Sequence, residues 1–330
     1  MRVGIDVFTI RELNLDPFQQ VDFVRQRDFE GLQYGGVRSM SETLDVGKLR
    51  EIHRYCDDNG MYSHVSVTTV NPITSSLSFD DLKASLIEEI TAAAQAGWHE
   101  LHSVINVGSE RYTHPIPWCR HVEGTIKLIN QLRPTLEKCG SRINLETHGE
   151  ATFDILKVIE ATGTHLTGVC LDTANTLCNA EDPVMAARRV APYTHLTHTK
   201  DGLVCFCEKG VLRQGKAPGM GNVDFEKVLA ILGEYTPDLP LSIEDHKWLF
   251  TADIFDPDWI AHNPELTPEE MGQFIKLAWE GQQKLFRGEI PPIDEYEAVP
   301  YLDQIEERLA AGRDYLKALL SRLNLRSDCK

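Results

Sequence analysis

The chain has 330 residues, 42% hydrophobic and 25% charged, the balance of a globular protein with a sizeable core rather than of a disordered one. A net charge of -17 excludes a nucleic-acid partner, because holding a phosphate backbone requires clustered lysine and arginine. No apolar run reaches the roughly 18 residues of a membrane span, the start MRVGIDVFTI lacks the basic-then-apolar order of a signal peptide, and eight scattered cysteines suit reduced thiols, so a cytoplasmic location is expected.

Helix and strand alternate from the beginning. Residues 1–9 alternate apolar and polar side chains and predict a first strand; 16–29, opening Asp-Pro, predict a helix, and 31–34 a second strand. A helix is expected over 46–59 before Gly60, a β-branched strand over 62–70, a capped helix over 78–96 before Gly97, and a strand over 100–107. There follow a helix over 117–139, broken near Pro134, a strand at Ile143, a helix over 153–162 and a strand at Leu166. Helices over 182–190 and 225–235 flank a strand over 194–199, and 239–245 forms the last strand. Eight such units over about 250 residues predict an α/β fold, a (β/α)8 TIM barrel, and the first unit has no GxGxxG to suggest a dinucleotide site.

The whole chain, 1–330, reads as one domain: a barrel core to about residue 288 and a C-terminal helical extension over 289–330, which is expected to pack on the barrel or on a partner. Long loops are expected after strands 7 and 8, over 201–222 and 247–267. The second carries Trp248, Phe250, Phe255 and Trp259, which suit an aglycone pocket, a protein contact or simple local packing. Cys205 and Cys207 form a C-x-C pair, a weak soft-metal signal without further ligands at zinc-like spacing.

Four of the strand ends carry the chemistry. Over 142–150, Asn144, Glu146 and His148 share one strand face. Later apolar runs end in Asp172, His198 and Glu244, so four consecutive strand ends offer three carboxylates and one imidazole where barrel enzymes place their sites. Crowded carboxylates repel one another, and a divalent cation removes the conflict; three oxygen ligands and one imidazole suit Mn2+, with Mg2+, Co2+ or Zn2+ as alternatives. Ordinary salt bridges at strand tips are the bland alternative. His148, two residues beyond Glu146, is the candidate general base, or else a hydrogen-bonding neighbour of the ligands. Lys200 and His246 hold the same offset from His198 and Glu244, and with Asn106 and Arg213 they are the candidate substrate-binding residues; His64 and His102 are further pocket candidates.

The motifs LETHGE, CLDTAN, HTKDG followed by G-x-G-x-VDF, and SIEDH resemble the sugar phosphate isomerase/epimerase superfamily of xylose-isomerase-like barrels, in layout over about residues 1–285. The resemblance implies that Glu146, Asp172, His198 and Glu244 bind one divalent metal. Within that superfamily the chain is most similar to the α subunit of bacterial C-glycoside deglycosidases, through E-T-H, the aromatic loop and the C-terminal helix. That implies His148 as base and a small β subunit as partner in a hetero-oligomer. Asn175 stands where the superfamily's ketose 3-epimerases usually carry histidine. The resulting expectation is a metal-dependent lyase that deprotonates C2 of a 3-oxo-glycoside and expels the aglycone by β-elimination through an enediolate. Glu146 and Glu244 are secondary acid/base candidates. The alternatives are a sugar isomerase or epimerase using the same enediolate chemistry, and a catalytically silent scaffold subunit.

Overall fold

The computed structural model describes residues 1–105 and 108–326. Strands β1 (Arg2–Asp6), β2 (Gly31–Gly36), β3 (Tyr62–Ser66), β4 (Glu100–Ser103), β5 (Arg142–Glu146), β6 (Thr167–Asp172) and β7 (Thr194–His198) follow in order. A hairpin of β8 (Asp201–Cys207) and β9 (Gly210–Lys216) then precedes β10 (Pro240–Ile243) and β11 (Leu249–Ala252). The barrel closes in the order β1-β10-β7-β6-β5-β4-β3-β2, with Val3 opposite Leu241 and Ile5 opposite Ile243 at the seam. This is the expected (β/α)8 barrel, and its closure leaves no free sheet edge.

Alternation sorts each strand. Val3, Ile5, Leu32, Val65, Leu101, Ile143, Leu145, Val169, Leu171, Leu196, Leu241 and Ile243 are fully buried in one continuous core or beside it. The residues between them are polar and meet across the barrel. Tyr62 of β3 reaches Ser242 of β10, hydroxyl to hydroxyl at 3.1 Å. Its ring lies where a Cβ on Gly31 would stand 2.2 Å away, and its hydroxyl 2.3 Å from a Cβ on Gly4, so two glycines make room for this plug. The plug closes the lower lumen and leaves chemistry to the carboxyl ends of the strands.

Capping sets the helix starts. Asp16 and Gln19 form a capping box on Pro17–Gln26, Asp45 caps Val46–Asp58, and Ser78 caps Phe79–Ala96. The helix Trp118–Cys139 runs unbroken through Pro134, correcting the expected break. Pro134 is exposed while Leu132 and Leu136 on either side are fully buried, so packing holds the helix across the lost hydrogen bond. The first, third and fourth strands are shorter than expected, and a 3-10 helix (Val7–Leu13) takes up the end of the first.

The expected loop over 201–222 is instead largely the hairpin, with Cys207 opposite Gly210 across a two-residue turn, and β11 extends it to a three-stranded sheet. Cys205 and Cys207 thus lie on β8, and both are free thiols. The helix Pro268–Phe286, not anticipated from the sequence, seals this sheet: a Cβ on its Gly281 would stand 2.0 Å from the carbonyl oxygen of Val204. The C-terminal helix Tyr301–Arg322 buries Ile305, Leu309, Leu316, Leu319 and Leu320 in the main core, and the amino terminus of Met1 donates to Leu325 O at 2.6 Å. The extension therefore packs on the barrel. Among the described residues no helix is long and apolar enough to cross a membrane.

Candidate metal centre

Glu146, Asp172 and His198 are the last residues of β5, β6 and β7, and Glu244 follows β10 directly. Their side chains are buried, and one ligand atom from each lies within 4.8 Å of the others. Adjacent parallel strands set this arrangement: β6 and β7 pair Asp172 with His198, and β10 and β7 pair Ser242 with His198.

Each ligand is held from behind. Asp172 Oδ1 accepts from the backbone amides of Ala174 (2.9 Å) and Asn175 (2.8 Å), which leaves Oδ2 turned to the centre. Glu146 meets His102 Nε2 at 2.9 Å through Oε2, while Oε1 accepts from Asn175 Nδ2 at 3.1 Å. His102 Nδ1 is in turn 2.8 Å from Ser66 Oγ. The Nδ1 of His198 lies 2.7 Å from Glu244 Oε2 and 3.3 Å from Glu146 Oε1, yet forms no aligned hydrogen bond with either. Its Nε2 is 2.7 Å from Gln33 Nε2 and 3.5 Å from Asp6 Oδ2. Such outer contacts orient ligands and fix the imidazole tautomer.

The electrostatics call for positive charge. Three buried carboxylates are matched by one fixed cation, Lys200, whose Nζ is 2.9 Å from Asp172 Oδ2 and 2.8 Å from Glu244 Oε1. Burial alone would favour the neutral forms. It raises the pKa of Asp172, but for Glu146 it is overcome by His198 and His102, which hold that carboxyl well below its ordinary range. Burial likewise opposes charge on His198, but Cys170, Glu146 and Glu244 drive its pKa well above the usual imidazole value. A divalent ion fits these residues: Asp172 Oδ2, whose one partner is the Lys200 ammonium, and His198 Nδ1, without a hydrogen-bond partner, are buried and converge with two further carboxylates on one point.

The other sequence candidates lie around this centre. His148 stands in the bend after β5, half-buried; burial opposes its protonation, and Glu146 and Glu150 nevertheless raise its pKa. His246 is buried with Nε2 3.6 Å from Glu244 Oε1 and its ring 4.4 Å from that of Trp248; burial and Lys200 push its pKa down to about 2. Arg213, expected in a loop, is instead a buried residue of β9. His64, on β3, packs beside Tyr62, and burial lowers its pKa to about 4. Asn106 lies outside the described residues. Gln33 and Asp6 were not legible as site residues, because a single amide or carboxylate in a strand carries no signal until the barrel closes.

A mouth of this kind, with three carboxylates and a histidine at successive strand ends, defines a class of metal-binding barrel. The chain belongs to the xylose isomerase-like TIM barrel family, whose model matches residues 21–276. Among solved structures it is similar to an L-ribulose 3-epimerase, at 15% identity and TM-score 0.63 over 98% of this chain and 95% of that one. It is also similar to a D-psicose 3-epimerase solved in the presence of D-fructose, at 13% identity and TM-score 0.60 over 86% and 99%. A xylose isomerase-like TIM barrel protein from Mycobacterium smegmatis, solved in complex with magnesium, matches at 13% identity and TM-score 0.55 over 80% and 89%. At such identities these likenesses establish the fold. No curated relative matches the sequence significantly.

Proposed function

We propose that this chain is a divalent-metal-dependent enzyme that removes a proton next to the carbonyl of a sugar. The observation that carries the reading is the convergence of Glu146, Asp172, His198 and Glu244 within 4.8 Å at the carboxyl end of the barrel. A metal bound there, Mn2+ in first place, would supply Lewis acidity that stabilises negative charge developing on neighbouring sugar oxygens. The protein's own groups do the rest. Lys200, already between Asp172 and Glu244, presents a buried cation at the same mouth. His148, two residues beyond Glu146 in the bend after β5, serves as the base for a carbon-bound proton.

Returning that proton to another carbon or to the opposite face gives an isomerase or epimerase, and the solved epimerases of the same fold support this outcome. A second outcome is favoured by Asn175. It bonds Glu146 at 3.1 Å where the superfamily's ketose 3-epimerases usually carry a histidine, and His148 follows two residues beyond Glu146 in the bend after β5. In this reading the carbanion formed at C2 of a 3-oxo-glycoside expels the aglycone from C1, breaking a C-C bond, and a small β subunit completes the site. Incubating the Mn2+-loaded chain in D2O with D-fructose, and separately with a 3-oxo C-glycoside, with and without a candidate small subunit, tests both. Deuterium next to the carbonyl of D-fructose or its epimer supports the first outcome, and free aglycone the second. Failure of both, and of exchange in D-fructose 6-phosphate and a 2-keto-hexuronate, in metal-replete protein would sink the proposal.

A further inference from the structure

Arg213 is 1% exposed, yet its Nε, Nη1 and Nη2 are all buried without a hydrogen-bond partner, and no carboxylate among the described residues forms an ion pair with it. A guanidinium cannot escape by losing its proton, and a buried charge is tolerated only when something pairs with it. The two other buried arginines among the described residues obey this rule: Arg308 grips Asp245, and Arg111 grips Asp154. Phe250 lies 4.7 Å from the Arg213 guanidinium, but a ring face covers the plane of that group and accepts none of the N-H bonds directed outward within it.

The fold makes space for this side chain. A Cβ on Gly202, across the hairpin, would stand 3.0 Å from Arg213 Cγ, 3.1 Å from Cδ and 3.3 Å from Leu177 Cδ1. The stem therefore lies in a slot floored by a glycine and walled by the loop that follows Asp172. Gly202 lies two residues beyond Lys200 and Leu177 five beyond Asp172, so the charge at the end of this slot sits at the hairpin side of the barrel mouth. His246 Nδ1, also buried and unpartnered, belongs to the same rim.

We propose that Arg213 is an anion subsite of the active site, and that the substrate carries, away from its reacting carbon, a negatively charged group with two acceptor oxygens, a carboxylate or a phosphate ester. The planar fork of the guanidinium offers two parallel N-H donors to such a group. This inference rests on the reading of the mouth as a sugar site. It adds that neutral ketoses are incomplete ligands.

Calorimetric titration of the Mn2+-loaded full chain with D-fructose, D-fructose 6-phosphate and a 2-keto-hexuronate tests it. At least one charged sugar is expected to bind about tenfold or more tightly than D-fructose, and which one does so distinguishes phosphate from carboxylate. In Arg213→Met that ratio is expected to fall to within about twofold of unity. The thermal midpoint of the ligand-free variant should equal or exceed that of the wild type, because an unpaired buried charge has been removed. In Arg213→Lys, which keeps the charge without the fork, the ratio should be intermediate, and this variant carries the test if the first does not fold. Equal affinities in the wild type, or a preference that survives in both variants, would overturn the assignment. Absence of proton exchange in any ketose alongside an intact preference would instead sink only the functional reading.

Discussion

Arg308, on the C-terminal helix, holds Asp245 through two bonds, Nε to Oδ2 at 2.6 Å and Nη2 to Oδ1 at 2.5 Å. Asp245 follows the candidate ligand Glu244, and its amide donates to Thr9 Oγ1 at 3.0 Å, so the extension reaches the candidate metal centre through one residue. Replacing Arg308 by leucine leaves a buried carboxylate unpaired, which costs about 3–5 kcal/mol when one partner of such a pair is lost. Denaturant unfolding should report that loss, and Mn2+ titration should give weaker binding. Unchanged metal affinity would place Glu244 beyond the influence of this clamp.

His148 follows the ligand strand without being one of the four converging groups. His148→Ala is expected to keep its metal and to lose proton exchange next to the carbonyl by about 10²- to 10⁴-fold, the usual contribution of a positioned base. Metal content and exchange rate measured on the same sample check this. Exchange at the wild-type rate would remove His148 from the base role.

Metal binding should also stabilise the fold. The four buried candidate ligands come together only in the native state, so Mn2+ at about a hundred times its dissociation constant should add about 2.7 kcal/mol to the unfolding free energy. Thermal melts before and after chelation, and after Mn2+ is restored, measure the effect. A midpoint indifferent to the metal would argue against a site in the folded barrel.

A pH effect is expected at Lys216, which pairs with Asp201 across the hairpin. The amine is buried against the ring of Tyr296, 3.2 Å from its centroid, and burial and Arg308 lower its pKa from 10.5 to about 8. A base whose folded pKa is depressed binds fewer protons in the native than in the unfolded state between those two values, so stability rises with pH across that window. Lys216→Met should therefore be more stable than the wild type near neutral pH, with the gap closing as pH rises from about 8 toward 10.5. A gap constant with pH would mean that the amine is as easily charged in the fold as in the open chain.

The barrel and its four converging side chains were legible because each apolar run ends in the group that matters: strand ends are where alternation, burial and chemistry coincide. The groups behind them were harder to read. Gln33 and Asp6 belong to the first two strands and reach His198 only through closure. The hairpin turns through Glu208 and Lys209, which lack the Asn-Gly signal that marks such turns, so the segment reads as a loop rather than as paired strands. The helix Pro268–Phe286 has its own capping box from Thr267 and Glu270, but exposed Ile275, Trp279 and Phe286 blur its amphipathic pattern.

Metal analysis of the purified chain tests the central claim most directly, because it needs no substrate. One divalent ion per chain is expected in the wild type after loading and desalting. Almost none is expected in a protein carrying both Asp172→Ala and Glu244→Gln that still melts cooperatively. An ion retained equally by that folded double variant would contradict the assignment of the site.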